Sequence, residues 1–340
     1  MGGSPLNDQK PTCWYISQTW GVHDHRWVTA LADLNFEPLV LSLERDGLLI
    51  ENVRYEIAEH NSRMPIIAGP LQSIMGPLRE LPNPKVGLSW AFDLLQPEDP
   101  DLSWLVGLDH LIVDSIASRA VAIDAGMRKD QISTLPWGID TSLFTPEGPK
   151  APLDNLGIAP ESPIVLSLRS LEPLYQVQEL LEAWPFVIDQ HPHTVLLVGN
   201  DGSLLPELQA KADESGIASS VRFIGRIPES HLPPLMRAAH VYVSTSPIDG
   251  SSVTMLQAMG CQTPIIATAT PGNQAWVEPG ETGRLYEPGN AQDLAQQISD
   301  SLVVDALGNT SMGVAARRSI LTNANWYENR RQITSILESI

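Results

Sequence analysis

Cysteine is nearly absent from this chain of 340 residues: Cys13 and Cys261 stand alone. Two thiols cannot staple a disulfide scaffold, and no C-x-x-C spacing or His cluster offers a structural metal site. Both sit among apolar neighbours and read as buried thiols. Long apolar runs are also missing. No stretch approaches the roughly 18 residues that a membrane-spanning helix needs. The opening MGGSPLNDQKPT has no apolar segment of the kind that leads secretion, so the expected location is cytoplasmic. Basic residues are scarce, 21 against 40 acidic ones, for a net charge of −19. The excess is even: residues 1–150 hold 20 acidic and 11 basic residues, which leaves 20 and 10 for residues 151–340. A chain without a Lys/Arg stripe is a poor ligand for nucleic acid. The same deficit gives no support for docking on anionic lipid heads.

What is present is alternation. Short β-branched runs are separated by amphipathic stretches, the pattern of an α/β protein with parallel sheets. Cys13–Ser17, Pro38–Leu43, Pro65–Ala68, Val86–Ser89 and His110–Val113 read as strands of a first half. Residues 44–63 are polar and irregular. Pro146–Pro163 holds five prolines and reads as a linker, after which the alternation restarts. Strands are expected at Ile164–Leu168, Thr194–Val198, Val221–Ile224, Val241–Ser244 and Pro264–Thr268. Helices are expected near 176–189, 203–215, 229–239, 252–259 and 291–303, with a closing one over Trp326–Leu337. The expected division is 1–145, a linker 146–162, 163–310, and C-terminal helices over 311–340 that cross back to the first domain. A chain of this length suits two domains.

The stretch richest in site-like features is Ser244–Glu278. There a strand runs through Asp249, Gly250, Ser251 and Ser252 into a helix. Free N–H groups at a helix start, beside a flexible glycine, suit a phosphate or a sugar hydroxyl. Gln257 follows Asp249 by eight residues, about two turns, so the two can face one ligand. The serines serve equally well as helix caps.

This stretch resembles the donor-site signature of the retaining glycosyltransferase family 4, E-x7-E followed by A-M-A-x-G-x-P-V-I-A-T. Here it stands as Asp249-x7-Gln257, then Ala258, Met259, Gly260 and Thr263 to Thr268. Pro271, Gly272, Asn273, Trp276 and Gly280-x-x-Gly283 are similar to the loop and strands that follow in that family. Upstream, Pro136–Pro146 resembles its P-x-G-[IV]-D-x-x-x-F-x-P hinge, and Asp114-Ser115 the start of its preceding helix. Val198–Gly202 resembles its G-x-G turn, and Val221–Arg226 the strand and loop that hold the base. The likeness covers residues 84–303 well and 12–43 loosely.

The resemblance implies a GT-B fold: two Rossmann-like domains facing each other across a cleft that closes about the Pro136–Asp140 hinge when donor binds. Residues 44–84 are short for the family, which implies a trimmed first domain. The implied reaction moves a sugar from a nucleotide-diphosphate sugar to a hydroxyl acceptor, small and soluble or a glycan. Retention, no catalytic metal and no cofactor beyond the co-substrate are implied as well.

Arg169 and Asp249 take the catalytic positions. Gly250, Ser251, Ser252, Gln257, Arg226, Gly199 and Tyr175 take donor-binding ones. Tyr175-Gln176 stands where the family carries Lys-Gly, and a phenol donates a hydrogen bond but cannot neutralise charge. Gln257 replaces a carboxylate, and Trp90 replaces a histidine in the segment Ser89–Asp93. The acceptor-side candidates are Gly21, His23, Asp24, Arg26, Trp90 and Asp93, with core packing or helix capping as the plainer roles. The three substitutions together also fit a non-catalytic sugar-nucleotide binder. An epimerase on the same architecture would need further cleft carboxylates, and none is evident.

Overall fold

The computed structural model of the chain describes residues 10–303 and 306–340, with side chains from 311 onward in the last stretch. Residues 1–9, on which the expectation about secretion rests, lie outside the described residues. Two compact units result: one of residues up to Leu135 together with Arg330–Ile340, the other of Pro136–Asn329.

Strands buried on both faces must be apolar throughout, because helices cover a parallel sheet above and below. The first unit contains β1 (Thr12–Ser17), β2 (Glu37–Ser42), β3 (Ile66–Gly69), β4 (Lys85–Leu88), β5 (His110–Val113) and β6 (Ile132–Thr134), of which β3, β4 and β5 are buried throughout and the edge strands β2 and β6 only in part. They form one sheet in the order β2-β1-β3-β4-β5-β6, every pair parallel. Trp14, Ile16, Ile66, Ala68, Leu111 and Val113 point into a common core with Val53 and Ile57. Those last two lie on the helix Ile50–Ala58, within the stretch whose polar sequence gave no order. Val53 and Ile57 are four apart, so one narrow apolar stripe is enough to hold that helix. This sheet has as many strands as the second, so the short 44–84 stretch does not trim it.

The second unit contains β7 (Ile164–Ser167), β8 (Val195–Gly199), β9 (Val221–Gly225), β10 (Val241–Ser244), β11 (Ile265–Thr268) and β12 (Arg284–Tyr286). Their order is β12-β11-β10-β7-β8-β9, again all parallel. The order reverses between β7 and β10. In sheets of this kind the crevice beyond the strands' carboxyl ends at that point is the usual ligand site. The corresponding reversal in the first sheet lies between β1 and β3.

Two expected boundaries move. The proline-rich 146–162 segment is not a free linker: Ile158 is core, and Ala151, Leu153 and Leu156 pack against the second unit's core. Its prolines restrict the chain without making it leave the surface. The division falls earlier, between Leu135 and Pro136, at the start of the hinge-like motif. The second unit also extends past residue 310, because Ala316 and Ile320 of the helix Ala306–Asn323 enter its core. Ile139 bridges Asn325, and a side chain on Gly138 would strike the Ala324 carbonyl oxygen at 2.6 Å. The closing segment is two helices, Trp326–Asn329 and Gln332–Glu338. Arg330 pairs with Asp33 within the first unit at 2.6 Å.

Both cysteines are buried, and burial pushes each thiol up to about 12. Among the described residues no helix is long and apolar enough to cross a membrane.

Candidate active site

β7 ends at Ser167, and two residues later Arg169 leaves the sheet at the reversal point. Its neighbour across the reversal is the turn from β10 to the helix Val253–Gly260. The guanidinium spans that turn. One Nη donates to Asp249 Oδ1 at 2.9 Å, and the other to the Ser252 hydroxyl. Arg169 is only 8% exposed. Burial works against its charge, yet the Asp249 carboxylate holds the guanidinium above its ordinary value. Burial likewise pushes the Asp249 carboxyl up, against the pull of Arg169.

Ser252 occupies the N-cap position of its helix, but its hydroxyl does not cap. It is turned to Arg169 instead, which leaves the first N–H groups of the helix without an intrahelical partner. Ser251 accepts from the Trp276 indole at 3.2 Å. Several buried atoms of this region find no hydrogen-bond partner among the described residues: Arg169 Nε, Asp249 Oδ2, Gln257 Oε1 and Asn273 Oδ1. Buried polar groups are ordinarily paired, so such a concentration marks a place built for a polar ligand.

Tyr175 does something its sequence position did not suggest. Its ring lies over the guanidinium, with the Arg169 Cζ 4.4 Å from the ring centroid. Thr245, on the turn after β10, donates to the Tyr175 carbonyl oxygen at 2.9 Å and fixes the stack to the same loop. A π face attracts the cation without competing for its hydrogen atoms.

Gly272 also matters more than its motif context indicated. A side chain there would collide with the carbonyl oxygen of Asp249 and lie 2.6 Å from its carbonyl carbon. The Thr270–Asn273 turn therefore lies directly against the site turn. Asn273 holds it by donating to Thr268 Oγ1 at 2.9 Å, and Thr268 donates to the Ser246 carbonyl oxygen. The spacing of the motif placed these residues near the site, but a backbone-to-backbone approach has no sequence signature beyond the glycine itself.

The remaining donor-side candidates separate. Arg226 is exposed and pairs with Asp201 at 2.8 Å. Gly199 is required by packing, since a Cβ there would meet Leu168 at 2.5 Å and Ile227 at 2.9 Å. That close approach explains the glycine without a ligand.

In the first unit, His23 and Trp90 come together after β1 and β4, their ring centroids 5.6 Å apart. Arg26 stands half-buried one turn beyond His23. The two carboxylates are engaged by the chain. Asp24 accepts from Tyr15 at 3.0 Å and from the Gly21 N–H at 2.8 Å, which caps the helix Val22–Asp33. Asp93 accepts from Ser89 at 2.7 Å and from the Leu71 N–H at 3.0 Å. Burial pushes the Asp93 carboxyl up, and these donors pull it back. Both are capping groups rather than free acceptor-binding carboxylates. Ala91, between Trp90 and Phe92, takes φ = 63°, a conformation that glycine adopts at less cost.

Burial, with the Arg26 charge, pushes His23 from 6.5 down to about 4. Its imidazole is therefore neutral at pH 7. The folded protein then binds fewer protons than the unfolded chain between those two values. This contribution is complete above about 6.5 and is lost as the pH falls toward about 4. Because the ring is partly exposed, about 2 kcal/mol is expected. Denaturant titrations from pH 7 to 4.5 should show His23→Gln losing less stability than the parent; parallel losses contradict the assignment.

Comparison with known proteins supports the same reading of the second unit. Residues 162–303 match the family model described as Glycosyl transferases group 1. Residues 162–303 of the second unit are therefore similar to group 1 glycosyltransferases. The chain is 31% identical over 186 residues to the D-inositol 3-phosphate glycosyltransferase of Corynebacterium jeikeium, covering 52% of this chain and 44% of that protein. It is 28% identical to the GDP-mannose-dependent alpha-(1-6)-phosphatidylinositol monomannoside mannosyltransferase of Mycolicibacterium smegmatis, over 60% and 55% of the two chains. It thus spans about half the length of these curated relatives.

Whole-chain likeness comes from solved structures. Anabaena HepE, in complex with UDP and glucose, superposes with a TM-score of 0.78 at 20% identity, over 97% of this chain and 100% of that one. Sucrose-phosphate synthase of Thermosynechococcus elongatus gives 0.80 at 19% identity, over 97% and 98%. These likenesses show a GT-B fold, two Rossmann-like halves, for the whole chain.

Proposed function

We propose that the chain transfers a sugar from a nucleoside-diphosphate sugar to an acceptor hydroxyl. The observation that carries this is the buried Arg169, set at the reversal of the second sheet and forked onto Asp249 and Ser252 at a helix start. A guanidinium and the first amides of a helix there suit the diphosphate, whose charge grows as the sugar departs. Asp249 Oδ2 and Gln257 Oε1 remain to accept from sugar or ribose hydroxyls.

The step breaks the bond between the anomeric carbon and the phosphate oxygen. The acceptor oxygen forms the new bond on the same face, and its proton passes to the departing phosphate, so configuration is retained. No metal is assigned to this step, since Arg169 and the helix start supply the positive field. On this reading Trp90 serves the acceptor as a stacking platform and His23 as a neutral hydrogen-bonding group.

The relatives' printed names carry GDP-mannose, UDP and glucose, so UDP-glucose and GDP-mannose are the first donors to try. Incubated with its donor, the protein should release free nucleoside diphosphate, faster once an acceptor is added. Tyr175 in place of a cation favours a second reading, a sugar-nucleotide binder. In that case the melting temperature rises with nucleotide sugar and no diphosphate is released.

Tyr175 also separates two roles. If the ring supports Arg169, Tyr175→Phe keeps turnover within about threefold while Tyr175→Ala loses about tenfold, the scale of one desolvated cation–π contact. Equal losses in both variants would assign the role to the hydroxyl.

A further inference from the structure

The first unit holds a cavity that the proposed reaction does not use. Its volume is about 580 Å³, within the range of small-ligand sites. It opens between the helix Ile50–Ala58, the turns that follow β3, and the segment leading to β5. Arg54, Gln72, Gly76, Arg79, Glu98 and Trp104 are among its lining residues.

Its walls are built rather than incidental. Gln72 accepts from the N–H groups of Glu98 at 3.1 Å and Asp99 at 3.3 Å, and donates to the Asp99 carbonyl oxygen at 2.5 Å. One side chain thereby ties two walls together. Asp93, through the Leu71 N–H, fixes the start of the wall that carries Gln72. Trp104 is half-buried, and a Cβ on Gly76 would lie 4.0 Å from its ring, so bare backbone adjoins the indole.

The charges select the ligand class. Arg54 and Arg79 face Glu80, Glu98 and Asp99, and Arg54 already pairs with Glu80 at 3.3 Å. With no clear excess of either sign, neither a phosphate nor a polycation gains from entering. A neutral ligand rich in hydroxyls does. Planar guanidinium, amide and carboxylate groups engage vicinal hydroxyls, and an indole accepts the apolar face of a sugar ring. We propose that this cavity is a carbohydrate-binding site of the first unit in its own right, distinct from the Arg169 site.

The test uses the full chain and saturation-transfer NMR with three probes at millimolar concentration: maltotriose, mannotriose and chitotriose. At least one should give a signal. That signal should fall about tenfold in Trp104→Ala, weaken in Arg79→Ala, and persist in Trp104→Phe. Arg79 is an exposed side chain, so its variant guards against a folding defect in the tryptophan variant. The melting shift given by UDP or GDP should be unchanged in all three variants. A nucleotide shift without any trisaccharide signal, or a signal unaffected by Trp104→Ala and Arg79→Ala, overturns the proposal and leaves the donor reading standing. No nucleotide shift in the parent protein overturns the donor reading itself.

Discussion

Arg169→Ala is expected to abolish the melting shift from the best nucleotide sugar and to lower turnover about 10³-fold, the scale of losing a charged donor to a developing phosphate charge. The same change leaves Asp249 buried beside no cation. Removing one member of a buried ion pair costs about 3–5 kcal/mol, so the variant is also less stable. The two effects separate in a double variant. Asp249→Asn takes away the orphaned charge, and Arg169→Ala with Asp249→Asn should recover most of the lost stability. It should recover none of the nucleotide binding. Burial already pushes the Asp249 carboxyl up, and losing Arg169 removes the charge that pulls it down, so its value rises further in the single variant. Its deficit should therefore be smallest in acid and deepen as the pH rises through the raised value. Calorimetric melts of both variants from pH 5 to 8, with and without nucleotide, read all of this. A double variant that binds nucleotide as well as the parent places the phosphate elsewhere.

Gly272→Ala should be the most damaging single methyl in the second unit. The added carbon would occupy the space of the Asp249 carbonyl group, so the site turn must move. Overpacking of this kind costs about 3 kcal/mol. Displacing Asp249 and Gly250 by even about 1 Å is expected to cost about 10²-fold in turnover. Gly157 offers the control. A Cβ there meets nothing within 4 Å, although its φ of +67° adds some strain. Gly157→Ala should lose stability but not turnover per folded molecule. Equal specific activity for the Gly272 and Gly157 variants would mean that the turn is free to shift.

The sequence made the second unit readable because its alternation is regular and its motifs are local. Asp249, Gly250, Ser252 and Gln257 lie within nine residues, so one strand–turn–helix fixes them together. Arg169 could be placed only by resemblance, since it and Asp249 lie 80 positions apart with no sign of the pairing in the sequence. Tyr175 was read for its hydroxyl, and the structure uses its ring. That outcome depends on the loop after β10 reaching its carbonyl oxygen, a tertiary contact. In the first unit the helix Ile50–Ala58 escaped notice because two buried residues per helix are too faint a periodicity. The prolines of 146–162 suggested an extended linker. Proline sets local backbone angles but not whether a segment packs, and Ile158 decided that. Asp24 and Asp93 illustrate the limit for single carboxylates: capping and ligand binding call for the same side chain, and only the positions of Gly21, Tyr15, Ser89 and Leu71 distinguish them.

The central claim is that Arg169 and the adjoining helix start clasp a diphosphate. Isothermal titration of the parent protein and Arg169→Ala with UMP, UDP, GMP and GDP tests it directly. The parent should bind its preferred diphosphate about 30-fold more tightly than the matching monophosphate, as about 2 kcal/mol of charge-assisted hydrogen bonding implies, and the gap should close in the variant. Equal affinity for mono- and diphosphate in the parent, or a gap that survives in the variant, contradicts the account.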